Sequence, residues 1–194
     1  MRSPVALPHA YRLLNHGPTV LVSAAHGGHR NLMAAAWNMP LDFDPPKVAV
    51  VIDKSTCTRG LVEASGAFVL NLPCRAQADI AFTVGSTSGH DIDDKFARYG
   101  LATLPAERVA APLLDGCVAW LECRVLPQPA LQQALQQTHD LFLAEVVAAH
   151  ADSRVFSGGR WHFGPEHAAL RTLHHVAGGA FFSPADLLQA RPLP

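Results

Sequence analysis

Lys47-Val48-Ala49-Val50-Val51-Ile52 runs straight into Asp53-Lys54-Ser55-Thr56-Cys57-Thr58, and this junction decides how the chain is read. The first half is an unbroken apolar run of β-branched type, the pattern of a strand buried on both faces. The second half is polar and opens a short helical pattern that lasts to Ser65, where Gly66 supplies a terminator. At a helix start the first backbone N–H groups lack partners and the dipole favours an anion. Ser55, Thr56 and Thr58 add hydroxyls and Lys54 adds a charge, the mixture that a phosphate monoester needs. The alternative is an ordinary cap, in which Ser or Thr satisfies the helix N–H groups.

Strand signals repeat on either side. Thr19–Ala24 reads as a strand and Ala25–His29 as a turn. Asn31–Trp37 reads as the returning strand, although its alanines also suit a helix. Met39-Pro40 and Asp44-Pro45-Pro46 are expected to break regular structure. Ala67–Leu72 is another buried strand, followed by a helix over Arg75–Val84 ended by Gly85, a polar loop over Ser86–Asp94 and one helical turn at Lys95–Tyr99. Gly116–Leu126 alternates as a strand should, Gln128–Gln137 is a polar connector, and Leu141–His150 is a strand by its Phe142 and Val146-Val147. From Gly158 onward there is little regular signal. Six or seven short strands with two or three short helices describe a mainly β chain, a closed or partly closed barrel rather than a doubly wound sheet.

With 194 residues, one domain spanning 1–194 is expected, with its core over about 18–182 and short extensions at both ends. A net charge of −1 without a basic block leaves no nucleic-acid footprint. No apolar run is long enough for a membrane span, and Met1–Leu14 has no signal core, so the expected location is cytoplasmic. Charged residues are only 16%, a thin shell that suits burial of surface in an oligomer. Neither a dinucleotide-binding glycine fingerprint nor a P-loop is present. The four cysteines form no C-x-x-C pair, which argues against zinc and thioredoxin-like chemistry. Cys57 lies between Lys54 and Arg59, neighbours that can activate a thiol, or it simply packs near a turn. The eleven histidines contain no metal-binding motif, and His174 and His175 would point to opposite faces of a strand, so no metal is assigned.

In order along the chain, several segments resemble the flavin-reductase-like family of FMN-binding split barrels, particularly its flavoredoxin-like branch. They are Asn31–Trp37, Phe43–Val50, Lys54–Val62, Gly66–Pro73, Gly85–Gly89 with Asp94-Lys95-Phe96, and Leu173–Gly179. The resemblance implies a Greek-key split barrel that binds FMN. Asn31 and Met33, Ala34, Ala35 and Trp37 would lie along the ribityl chain and flavin, with core filling as the other role for Trp37. Lys54, Ser55 and Thr58, helped by Thr56, would hold the phosphate. Asn71 would reach the cofactor or cap a turn. Ser86, Ser88 and Gly89 would form a loop over the site. Lys95 would bring a second positive charge, or sit solvated at the surface. His174 and His175 would stand at the substrate-side rim. Family members often carry a bulky residue where this chain has Cys57, so a ring contact there is lost.

The implied activity is that of an FMN-binding oxidoreductase, an NAD(P)H-dependent flavin reductase, with NADH or NADPH as co-substrate. The flavin would carry the chemistry and no catalytic side chain would be needed. The alternatives are a flavoredoxin-like carrier reduced by a partner protein, and a non-enzymatic barrel for flavin or haem. A homodimer with the flavin site at its interface is also implied.

Overall fold

The computed structural model describes residues 1–127, 129–185 and 187–191. In chain order the elements are β1 (Arg2–Pro4), β2 (Val20–His26), β3 (His29–Ala35), β4 (Asn38–Phe43), β5 (Pro46–Val51), α1 (Cys57–Ser65) and β6 (Ala67–Leu72). There follow α2 (Ala78–Ser86), α3 (Lys95–Arg98), β7 (Thr103–Leu104), β8 (Leu113–Leu114), β9 (Ala119–Val125) and α4 (Pro129–His139). The chain ends with β10 (Leu141–Asp152), β11 (Phe156–Ser157), β12 (Arg160–Trp161), β13 (His174–Ala177) and β14 (Ala180–Phe182).

The main sheet has the strand order β3-β2-β6-β9-β10-β5-β4, every pairing antiparallel, with β1 added to the end of β10. Its two edge strands, β3 and β4, are separated in sequence only by Ala36 and Trp37. The sheet therefore curls until its edges meet at that corner, the geometry of a split barrel. β10 is twelve residues long and serves three partners in turn: β5 by its first half, β9 by its second and β1 at its end. A bulge between Val146 and Ala148 lets it bend between them.

Strand periodicity divides the core in two. Val20, Val22, Val48, Val50, Phe68, Leu70, Leu121 and Phe142 fill the barrel. Leu21, Leu32, Val69 and Trp120 face outward and are covered by Val84 of α2 and Phe96 of α3. Strands buried on both faces explain the near-continuous apolar runs. The β2–β3 turn is closed by Gly27 and Gly28, both at positive φ (58° and 85°), which suits a two-residue hairpin. Gly66 ends α1 in the left-handed conformation, its N–H bonded to Val62 O at 2.8 Å.

Four segments differ from the sequence expectation. Met39-Pro40 does not break the chain but lies inside β4, because an edge strand tolerates a missing N–H, and a bulge follows between Pro40 and Asp42. The expected connector over 128–137 is helix α4 from Pro129; glutamine and leucine propagate a helix well, and proline suits its first position. Gln128 itself lies outside the described residues. The strand expected from Gly116 is shorter, since Gly116 and Cys117 belong to the turn before β9. The stretch beyond Gly158 holds β12, a 3-10 turn at Pro165–Leu170 and the β13–β14 hairpin.

Candidate functional site

The loop before α1 is organised by Asp53. Its carboxylate accepts from the Ser55 hydroxyl at 2.6 Å and the Ser55 N–H at 2.8 Å, and these bonds hold its pKa below the ordinary carboxylate value. Thr56 caps the helix: its hydroxyl donates to Asp53 O at 2.8 Å and accepts from Arg59 N at 3.4 Å. So the capping alternative is what Thr56 does, and the helix mouth is built by it. The start of α1 lines a cavity of about 250 Å³. Its walls are Asn31, Met33 and Ala34 of β3, Ser55, Thr56, Cys57 and Thr58 at the helix mouth, Val84–Gly89 at the end of α2, and Lys95.

Asn31 is 2% exposed and its Nδ2 donates to Thr58 Oγ1 at 2.9 Å. Its Oδ1 is buried without a hydrogen-bond partner. An unsatisfied buried acceptor costs on the order of 1–3 kcal/mol, which a hydroxyl donor from a ligand would recover. Gly89 presses on the same side chain, so the cradle closes only around a residue without a Cβ. Gly85 does likewise against Ala34, whose Cβ would stand 3.0 Å from a Cβ at position 85.

Lys95 is buried, 1% exposed, and is not a solvated surface lysine. Its ammonium donates to the carbonyls of Leu32 at 3.0 Å, Val84 at 2.9 Å and Thr87. All three protons are thus used to tie β3, the C-terminal turn of α2 and the loop beyond it. Burial lowers its pKa, with nearby Cys57 acting the other way. Lys95 sets the width of the cavity, and its charge lies in the cavity wall. Arg30 supports α3 from β3 by pairing with Asp94, the α3 N-cap, at 2.9 Å.

A second cavity of about 400 Å³ adjoins the first, and the two share Ala34, Gly85 and Ser86. It is apolar: Ala34, Ala35 and Ala36 form the floor, with Phe82, Phe181, Thr19, His175 and Gly178 around it. His175 is held by its N–H on Thr19 Oγ1 at 2.9 Å, by its ring on Gly178 O at 3.1 Å and by edge contact with Phe181. The groove as a whole is polar at the α1 end and flat and apolar at the β13–β14 end.

Of the residues singled out in the sequence, the structure gathers Asn31, Met33, Ala34, Ala35, Ser55, Thr56, Thr58, Ser86, Ser88, Gly89, Lys95 and His175 along this groove. Four stand elsewhere. Lys54 is exposed in the turn, outside both cavities, because the Asp53–Ser55 bonds turn the chain there. Asn71 is fully buried; its amide donates to Leu21 O and Ser23 Oγ and its oxygen accepts from Leu114 N, so it bonds strand to strand rather than reaching the groove. Trp37 is 75% exposed, neither core nor groove wall. His174 points to the opposite side of its strand from His175, toward Thr172 and His16, and is not at the rim. Thr19, Ala36, Phe82, Gly178 and Phe181 were missed. Phe181 pairs with His175 across the β13–β14 hairpin, a contact that the weak strand signal beyond Gly158 does not announce.

The flavin reductase like domain matches residues 12–167. The chain belongs to the flavin reductase-like family. An FMN-binding domain of a flavin reductases-like enzyme from Shewanella baltica is 44% identical, with a TM-score of 0.91 over 98% of each chain. Flavoredoxin of Desulfovibrio vulgaris is 26% identical, with a TM-score of 0.73 over 90% of each chain. The FMN reductase (NADH) RutF of Stutzerimonas stutzeri is 26% identical over 61% of this chain and 65% of its own. Family and fold agree with the resemblance read from the sequence. No described helix is long and apolar enough to cross a membrane.

Proposed function

We propose that the groove binds FMN and that the chain is an NAD(P)H-dependent flavin reductase. The observation that carries this is the pairing of the orphaned Asn31 Oδ1 in a polar cradle with an adjoining flat apolar slot. FMN has the same two halves, an anionic, hydroxylated tail and a planar ring. The α1 N–H groups, Thr58 and the Ser86–Gly89 loop would hold the phosphate, and Asn31 would take a ribityl hydroxyl. The backbone of Ala34–Ala36, bare of large side chains, would meet the ring edge. Phe82, Phe181 and His175 would border the face where a nicotinamide donor approaches. Bound FMN supplies the hydride-accepting centre; the protein's part is binding, orientation and exclusion of water.

The test is the absorbance spectrum of the purified protein before and after anaerobic addition of NADH and of NADPH. A flavin spectrum bleached by either supports the reading, and Thr58→Val should weaken FMN binding. Bound FMN that neither nicotinamide reduces would overturn the reductase. The likeness to flavoredoxin favours a second reading, a carrier with permanently held FMN reduced by a partner protein; retention of FMN through gel filtration and reduction only by that partner would select it.

The assembly proposed is a homodimer. Trp37, next to edge strand β4, and Met39, Leu41 and Phe43 along it are exposed by 75%, 53%, 47% and 63%. Such a stripe on an edge strand is a pairing surface, and it begins one residue from the groove floor. A cytoplasmic location is supported by four unpaired thiols.

A further inference from the structure

A further cavity of about 610 Å³ shares no lining residue with the groove proposed for FMN. It lies between the 3-10 segment Leu7–Leu13, the β11–β12 hairpin with Phe163, and Pro184, Ala185, Leu187 and Gln189. That volume is of ligand-site size, in the usual range of about 300–1,000 Å³.

Its chemistry differs from that of the groove. One wall is aromatic: Trp161 stacks on Phe163 with centroids 5.0 Å apart and an interplanar angle of 20°. The indole is fixed, because Nε1 donates to Arg12 O at 3.1 Å and Phe156 meets it edge-on at 5.0 Å. His16 meets the same indole edge-on at 5.4 Å, and its Nε2 is engaged with Thr172 Oγ1. The other wall is cationic. Arg12 is oriented by Nε on Tyr11 Oη at 3.0 Å and Nη1 on Gly159 O at 3.2 Å, and Arg160 also belongs to the lining. Among the described lining residues there are two guanidiniums and no carboxylate, and neither arginine forms an ion pair with a described residue. A guanidinium held in place without a counter-ion is a receptor for a carboxylate, and a fixed stacked wall is a receptor for a flat ring.

We propose that this cavity is a second small-molecule site, selective for planar aromatic carboxylates: the carboxylate on Arg12 and Arg160, the ring against Trp161 and Phe163. It binds independently of the flavin groove.

The experiment is calorimetric titration of the full chain, as purified, with 2-naphthoate and with its neutral counterpart 2-naphthamide. Saturable naphthoate binding is expected, roughly tenfold weaker for the amide and roughly tenfold weaker in Arg12→Met, as befits loss of a charge-assisted bond. Adding FMN leaves naphthoate binding unchanged. Arg160→Met, at an exposed position, should also weaken binding and serves if Arg12→Met does not fold. Absence of saturable binding at millimolar naphthoate, equal affinity for the amide, full affinity in both folded arginine variants, or competition by FMN would each overturn the assignment.

Discussion

A methyl group on residue 89 would collide with Asn31 Nδ2, so Gly89 and the Asn31 amide are fitted to one another. Asn31 in turn holds the Thr58 hydroxyl at 2.9 Å. Gly89→Ala must therefore displace the amide or the loop. FMN affinity should fall by about tenfold, the worth of one good hydrogen bond to a polar ligand. Melting temperature should hardly change, since the loop lies outside the barrel. FMN fluorescence titration beside a thermal melt checks both; unaltered affinity would place the ribityl chain away from Asn31.

Lys95→Met keeps the length of the side chain and removes three donors from the carbonyls of Leu32, Val84 and Thr87. Three carbonyls lose their partner in a buried place, for a loss of about 3 kcal/mol in urea unfolding. FMN binding should weaken as well, because the 84–89 wall loses its tie to β3. A variant of wild-type stability would deny Lys95 its bracing role.

Acid should destabilise the fold through His16. Burial and the neighbouring His174 lower its pKa to about 4, against 6.5 for the free side chain. Between those values the unfolded chain binds the proton and the folded chain does not, so stability falls as pH is lowered from 6.5 to 4. The contribution is about 3 kcal/mol across the window. His174, also lowered by burial, acts in the same sense. In His16→Phe, which keeps a ring beside Trp161, the slope of unfolding free energy against pH should flatten; an unchanged slope would assign the acid sensitivity to other groups.

Trp37→Ser with Phe43→Ser should convert a dimer into a monomer. Both side chains are largely exposed, so the unfolding free energy of the monomer should shift by under about 1 kcal/mol. Light scattering decides; a monomeric wild type removes the dimer altogether.

The main strands were legible because a two-faced buried strand and its bounding glycines leave strong local signals, as at Lys47–Ile52 and Gly66. Helix α4 was not, because its polar face reads like a linker and only tertiary contact with β10 reveals it. Within the site, Thr56 takes its role from nearby backbone, Asp53 O and Arg59 N, and the capping alternative was therefore readable from spacing. Asn71 and Lys95 were not readable in role: whether a polar side chain meets ligand or carbonyl depends on what another strand brings to it, Leu114 N in one case and Thr87 O in the other. Trp37 misled because a large ring suggests burial, whereas it is 75% exposed on this chain.

The two-residue corner between β3 and β4 has a thermodynamic consequence. Ala36 belongs to the floor of the apolar slot and Trp37 begins the exposed stripe, one peptide bond away. A molecule that restrains the first restrains the second. If self-association and cofactor uptake each order this corner, they are linked functions, and whatever factor FMN adds to the dimerisation constant the dimer must return to FMN affinity.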